Sequence, residues 1–194
     1  IIFKGTQPIT ANAGGSVLNA MVSLARTGHE VHYISEIGDD AISDQIIEFL
    51  QINKVGQRYL TRYPNGQTPV ALAFLNTNND ATYEFYKTLP EQRTINLPDN
   101  ITKNDILLFG SFFAINAAVR PFVKKLLDQA KAVGAIIVYD PNYRSVHAQN
   151  NNLLEVVKEN MSYASITRGS DDDFLNIFGT SKISDTYAKV KDLC

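Results

Sequence analysis

Gly14-Gly15-Ser16-Val17-Leu18-Asn19-Ala20, running on through Leu24-Ala25-Arg26-Thr27-Gly28, is the stretch on which the reading of this chain turns. Two adjacent glycines open an apolar helical pattern, and Asn19 is the one strong amide in its first turns. Paired glycines suit a backbone that must bend, or approach a ligand closely, at a helix start. Such a start also presents unpaired N–H groups to polar or anionic ligands. A loop followed by a packing glycine is the plainer reading of the same residues, and only motifs elsewhere in the chain weigh against it. Val17, Leu18, Met21, Val22, Leu24 and Ala25 make a broad apolar face, so the spacing predicts a helix over 16–27 stopped by Gly28.

Working outward, Val31 to Ile34 reads as a short strand and Glu36-Ile37-Gly38-Asp39-Asp40 as the loop after it. Ile42, Ile46, Phe49 and Leu50 then fall at helical spacing. Residues 57–63, 68–75 and 81–86 are extended patterns, separated by Pro64-Asn65-Gly66 and by Asn76 to Asp80. Strands joined by short turns are expected to pair antiparallel, which predicts a meander inserted at about 57–90. It carries Tyr59, Tyr63, Phe74, Tyr83, Phe85 and Tyr86. Beyond it the alternation resumes: strand 106–109, helix 119–132, strand 135–139, helix 153–159, a weaker strand at 163–167 and a helix at 171–178. Strands alternating with helices predict an α/β fold. One domain over 1–194 with the meander as a flap is the expected organisation.

The bulk numbers remove several classes of function. A net charge of −2 argues against a nucleic-acid footprint, which needs a basic face, and gives no support for an anionic membrane surface. Cys194 is the one cysteine, so a disulfide framework or a multi-cysteine zinc site within the chain is excluded. The three histidines show no metal-ligand spacing. No run approaches the ~18 apolar residues of a membrane helix. A reducing cytoplasm is the simplest compartment. There is no GxxxxGK[ST] loop, and with it no Walker-type nucleotide site.

In open α/β sheets ligands sit outside the carboxyl ends of the strands. Polar clusters follow three predicted strands: Glu36 to Asp40, Asp140-Pro141-Asn142-Tyr143-Arg144, and Arg168-Gly169-Ser170-Asp171-Asp172-Asp173. Each has a second reading. Asp39-Asp40 suits a helix cap as well as a ligand site. Asp140-Pro141-Asn142 suits a turn, and Arg144 is either an anion clamp or a surface arginine. Ser170 to Asp173 reads first as an N-cap with an acidic first turn, so a phosphate or metal role would be additional. The aromatic meander is either a packed sheet face or a lid over a cleft.

The set strongly resembles the ribokinase-like (PfkB) carbohydrate kinases, fructokinase-like members in particular. Gly14 to Asn19 with Leu24 to Gly28, then Ile34 to Asp40, match the N-terminal signature, the aromatic meander matches the β-lid, and Asp140 to Arg144 matches a central DPNxR segment. The resemblance implies a three-layer α/β/α sandwich with a small antiparallel β-sheet lid. It implies transfer of the γ-phosphoryl group of ATP, with Mg²⁺, to a sugar hydroxyl. Gly14, Gly15 and Asn19 would contact the sugar, and the diglycine would hinge lid closure. Asp39 would lie near the sugar pocket, with Phe74, Phe85 and Tyr86 as candidate covers. Asn142 and Arg144 would lie toward the phosphates. The family's NxxE motif would fall on Ser170 and Asp173, with Asp173 the one candidate metal contact. The lid's sheet face would suit a homodimer.

Two family features are missing from the 194 residues: the GxGD motif bearing the catalytic aspartate, and the sugar-binding aspartate that closes the first strand. The expectation is therefore a kinase truncated at both ends, without its catalytic base. A nucleoside kinase of the same fold and a non-catalytic sugar-binding or dimerisation fragment are the competing expectations.

Overall fold

The computed structural model describes residues 1–79, 81–143 and 151–194. The chain divides into two compact units, Ile1–Asn96 and Leu97–Cys194. In the first unit, strands β1 (Ile2–Lys4), β2 (Gln7–Thr10), β5 (Gln67–Leu75) and β6 (Ala81–Thr88) form one sheet in the order β2-β1-β5-β6. β1 runs parallel to β5, and the two outer pairs are antiparallel. A separate parallel pair joins β3 (Ser35–Gly38) to β4 (Leu60–Tyr63). Helix α1 (Ser16–Arg26) buries Leu18, Met21, Val22 and Ala25, the i, i+3, i+4, i+7 stripe of the sequence, while Leu24 stays exposed. Helix α2 (Ala41–Ile52) packs on Ser43 and Leu50.

Two expectations are corrected here. The strand expected over 31–34 lies at Ser35–Gly38, and the earlier residues contribute only a parallel bridge from His32 to Gly56. The expected three-stranded meander is not formed. Pro64-Asn65-Gly66 does turn, with the Gly66 N–H donating to the Tyr63 carbonyl, but the strand before the turn pairs with β3 and not with β5. Turn chemistry reverses the chain and does not choose the partner. The buried face of β4, Thr61 and Tyr63, aligns with Glu36 and Gly38 of β3. The antiparallel pairing survives between β5 and β6, extended by β1 and β2.

In the second unit β7 (Ile106–Gly110), β8 (Ile136–Asp140) and β9 (Ile166–Thr167) form a parallel sheet in that order. Parallel neighbours require crossover connections. These are α3 (Ser111–Ile115) and α4 (Arg120–Val133) between β7 and β8, and α5 (Asn151–Tyr163) before β9. Helices α6 (Asp171–Phe178) and α7 (Ile183–Lys191) follow, and α3 and α7 carried no sequence signal that singled them out. The core is Ile137 and Tyr139 of β8 against Leu127 and Ala130 of α4 and Val157 and Met161 of α5. No helix of the described residues is long and apolar enough to cross a membrane.

One polar node ties these layers together. Asn160 of α5, fully buried, donates through Nδ2 to the Ala114 carbonyl and to the Tyr139 hydroxyl, each at 3.2 Å. Its Oδ1 accepts from Arg120 at 2.5 Å, and Arg120 also binds Glu159. Buried polar groups that lose their partners cost about 1–3 kcal/mol each. Asn160→Ala is expected to lower the unfolding free energy by about 3 kcal/mol, because it orphans several groups at once. Tyr139→Phe, which leaves Asn160 bonded to Ala114, should cost only about 1 kcal/mol. Urea denaturation of the two variants measures the difference.

Candidate functional site

In the first unit the diglycine is the start of α1. Gly15 is its N-cap at φ 131°, a backbone that side-chain-bearing residues rarely adopt. Gly14 has no such φ, and a Cβ there would meet no atom within 4 Å. The fold thus requires glycine at 15 and not at 14. No side chain caps the helix, so its first N–H groups are open. The Asn19 side chain, one turn on, is exposed and makes no hydrogen bond among the described residues.

Asp39 and Asp40, adjacent in sequence, are employed differently. Asp39 is half-exposed, and its carboxylate meets Arg62 of β4 at 2.8 Å, while the same guanidinium reaches Asp44 at 2.7 Å. Asp40 is the N-cap of α2. Its Oδ1 accepts from the Ser43 N–H and the Thr68 hydroxyl, and its Oδ2 from the Thr68 N–H. Partial desolvation works to raise the Asp40 carboxyl, but the donations from Thr68 and Ser43 outweigh it and hold it below the ordinary aspartate range.

The aromatics of the four-stranded sheet divide between its faces. β5 and β6 pair Ala71 with Phe85, Val70 with Tyr86, and Phe74 with Thr82. Side chains alternate along a strand, so Phe74 and Tyr86 share one face and Phe85 takes the other. On the first, Phe74 stacks on Phe3 with ring centres 5.1 Å apart, and the Tyr86 hydroxyl donates to Glu84 at 3.0 Å. On the second, Phe85 stacks on Tyr83 at 6.1 Å, and Lys87 follows them. The Lys87 ammonium is pulled down by burial and held up by the charge of Glu36. The three aromatic candidates therefore cannot all touch one ligand lying against one face.

Sequence reasoning gave no role to a buried ion pair in this unit. Glu36 Oε2 lies 3.1 Å from Arg93 Nε, with side chains only 7% and 9% exposed. The contact is close but misaligned, so Glu36 Oε2 and Arg93 Nε and Nη1 are buried without a hydrogen-bond partner. Burial pushes the Glu36 carboxyl up, against the pull of Arg93 and Lys87. Glu36 was visible as a buried-strand residue only once its neighbours in β4 were known.

In the second unit, the carboxyl ends of all three parallel strands carry polar groups. Ser111 follows β7 at φ 57° and Asn142 lies just past β8 at φ 43°. Both are non-glycine residues in the left-handed region, and the Asn142 amide donates to the Ser111 hydroxyl at 3.3 Å. Such strain costs of order 1–3 kcal/mol per residue and clusters at functional sites. Asp140 ends β8 and pairs with Arg168, past β9, at 2.6 Å. Arg144 lies outside the described residues. Ser170 caps α6, and Asp173 completes a capping box, taking the Ser170 N–H and hydroxyl on Oδ2. Asp173 is buried and its Oδ1 has no partner. Ser111 was missed as a site residue, and the signal that could have found it is position: it follows an apolar strand run at the same edge as Asp140, while Arg168 stood in the third polar cluster without a role of its own.

Among the described residues no group of three or more His, Cys, Asp or Glu could hold a metal ion. A divalent cation here would rest on phosphate oxygens with one or two carboxylates, the usual arrangement for Mg²⁺.

Comparison with known proteins places this geometry. Residues 6–194 match the pfkB family of carbohydrate kinases. Probable fructokinase-4 of Arabidopsis thaliana is 23% identical over 185 residues, which is 90% of this chain and 55% of the plant protein. The fructokinase of Rhizobium leguminosarum bv. trifolii is 28% identical over 190 residues, 95% of this chain and 56% of that protein. Among solved structures, the fructokinase of Vibrio cholerae O395 bound to fructose, ADP and calcium superposes with a TM-score of 0.85 at 20% identity, over 99% of this chain and 63% of that one. The aminoimidazole riboside kinase of Salmonella enterica superposes at 0.76 with 21% identity, over 99% of this chain and 64% of that one. These likenesses show the fold, the ribokinase-like α/β/α sandwich. The chain spans about half the length of the curated relatives it matches.

The misaligned Glu36–Arg93 pair sets an expectation. Arg93→Leu should destabilise the first unit by about 3–5 kcal/mol, because it removes the ion-pair partner of a buried carboxylate. Glu36→Leu combined with Arg93→Leu should recover most of that loss, as apolar replacement of a whole buried pair often does. Chemical denaturation of the single and double variants checks both.

The match over residues 6–194 makes this chain a member of the pfkB family of carbohydrate kinases.

Proposed function

We propose that this pfkB-family chain is the sugar-binding part of an ATP-dependent carbohydrate kinase. The reaction is transfer of the γ-phosphoryl group to a hydroxyl of fructose, or of a related ketose or 2-keto sugar acid. The observation that carries the reading is the open start of α1: a glycine turn, no side-chain cap and an Asn19 amide with no partner among the described residues. Sugar hydroxyls both donate and accept, and a side-chain amide beside free N–H groups answers both needs. Gly14 supports it further, since the fold leaves its α-carbon bare without needing to.

Asp39 completes the sugar side in this reading. Phe85 is the aromatic we assign to cover the sugar, because its face continues into Lys87, whose charge is coupled to Glu36 at the β3 side of the unit. The opposite face, with Phe74 and Tyr86, is then where a second copy of the chain would pack. On the phosphate side we place Asn142, Arg144, Ser170 and, from the geometry, Ser111 and Arg168. The strained Ser111–Asn142 contact is the support for that edge. Asp173, buried within its capping box, serves the α6 turn first and a metal only through its unpartnered Oδ1. ATP would supply the phosphoryl group, and Mg²⁺ would neutralise charge on it. The chain's own residues position the hydroxyl and exclude water, so that sugar and not solvent accepts the group. The hydroxyl proton passes to the aspartate of the family's GxGD motif, which these 194 residues do not contain. A cytoplasmic setting is part of this reading.

The test is ADP release by the longest polypeptide carrying this sequence, given ATP, Mg²⁺ and a panel of ketoses, 2-keto sugar acids and nucleosides. Turnover of a ketose or sugar acid is the expected result. Preference for a nucleoside would move the assignment to a nucleoside kinase, and sugar binding without turnover would make the protein a binding module.

Two glycine substitutions separate site from scaffold. Gly14→Ala should leave the melting temperature unchanged and weaken sugar binding about tenfold or more, by closing the approach to the backbone. Gly15→Ala should instead destabilise by about 1–3 kcal/mol. Calorimetric titration with the sugar and a thermal melt of each variant decide it.

A further inference from the structure

Ser111 and Asn142 belong to different segments, Ser111 to the joint between β7 and α3 and Asn142 to the chain leaving β8. Both hold left-handed backbones, which cost free energy and need surroundings that fix them. Part of the fit is backbone on backbone. Gly110 pairs with Asp140, and a Cβ on Gly110 would fall on the Asp140 carbonyl oxygen, so nothing separates the two chains there. The rest is supplied from α5, by one side chain that bonds to both segments.

That side chain is Asn160. Helix α3 has only five residues and cannot hold its shape by its own ladder. Its Ala114 carbonyl belongs to a buried residue and accepts from Asn160 Nδ2 and from Arg120 Nη1, each at 3.2 Å. The same Nδ2 donates to the Tyr139 hydroxyl at 3.2 Å. Tyr139 lies three residues before Asn142, and the intervening Pro141 has a φ fixed by its ring, so a shift of the strand end is passed on to Asn142. The amide has one orientation. Arg120 can only donate and the Ala114 carbonyl can only accept, so Oδ1 faces the guanidinium and Nδ2 faces the two oxygens. Glu159 in turn holds Arg120 at 2.6 Å.

We infer that Asn160 is a positioning residue for the Ser111–Asn142 edge, with Arg120 setting the orientation of its amide. It is fully buried, so it acts through these neighbours and not on a ligand. One NH2 group ties the end of α3 and the end of β8 to the same point on α5, and thereby keeps the two strained residues in reach of each other. The consequence for ATP rests on the reading of that edge as the phosphate side. In that reading a displaced Nδ2 is felt by the triphosphate and not by the sugar, which is assigned to α1.

Asn160→Asp, made in the longest polypeptide carrying this sequence, tests it. The carboxylate keeps an acceptor for Arg120 and for the Tyr139 hydroxyl, but turns an oxygen toward the Ala114 carbonyl where the amide gave an N–H. Calorimetric titration should show ATP affinity reduced at least about tenfold and sugar affinity within about twofold of the parent. Val157→Ala, which opens the core one turn away on α5 and spares the amide, should lower the melting temperature and leave ATP affinity within about twofold. Unchanged ATP affinity in Asn160→Asp, an equal loss for ATP and sugar, or an equal loss in Val157→Ala overturns the inference. Backbone resonances of the ligand-free protein separate this from a failure of the functional reading. The Ser111 and Asn142 amide signals should both shift in Asn160→Asp and stay in place in Val157→Ala. If the parent binds no ATP, the phosphate-side reading falls, and these shifts alone decide the positioning: their presence supports it and their absence overturns it. Should Asn160→Asp not fold, Tyr139→Phe cuts only the β8 half of the tie, and should move the Asn142 signal and not that of Ser111. An unmoved Asn142 signal there overturns the inference as well.

Discussion

The Asp40 carboxylate is the interaction on which the first unit depends. It joins three stretches of backbone: the end of β3, the start of α2 and the root of β5. Each of its donors is a group that folding would otherwise strand. The Ser43 N–H belongs to a helix start with no intrahelical acceptor, and the Thr68 N–H belongs to a strand whose ladder is broken by the next residue. A carboxylate that accepts three such bonds favours its charged form, which is why its pKa falls despite partial burial. By linkage, the stability it contributes is present above the unfolded aspartate value and is lost as pH falls through the lower folded value. The corner is therefore fully formed at neutral pH.

The Glu36–Arg93 pair, a few residues away in β3, shows what the same chemistry does when geometry is poor. Both side chains are taken out of water, yet three of their polar atoms remain unpaired. Desolvation dominates, and the Glu36 carboxyl rises where Asp40 falls. Coulomb attraction without aligned donors does not repay burial. The two acids thus differ in setting: Asp40 is held by aligned donors, and Glu36 is buried beside Arg93 with its carboxyl pushed up by desolvation.

The sequence was legible where one local rule decided the outcome. The α1 stripe, the cap of Ser170 on α6 and the stop at Gly28 after α1 each follow from spacing or from a single residue type, and the structure shows them. It misled where partners decided. Val31 to Ile34 has better strand residues than Ser35 to Gly38, yet the latter pair with β4, because tertiary neighbours outweigh intrinsic preference. The meander failed for the same reason: Pro64-Asn65-Gly66 announces a turn, not the strand that will lie alongside. At the candidate site, Gly15 and Asn142 could be singled out by residue type. Ser111 could not, because nothing local distinguishes it from any serine until β8 brings Asn142 to it.

The period of two in a strand also limits what a motif can say about a site. Phe74, Phe85 and Tyr86 look alike as sequence candidates, but the β5–β6 register places them on opposite sides of one sheet. A thin sheet with aromatics on both faces has two surfaces to cover. One face leads through Lys87 to the charged interior of the unit, and the other ends in the Phe3–Phe74 stack and the Tyr86–Glu84 bond. Exposed aromatics stand on both faces, Tyr83 and Phe85 on the first and Tyr86 on the second.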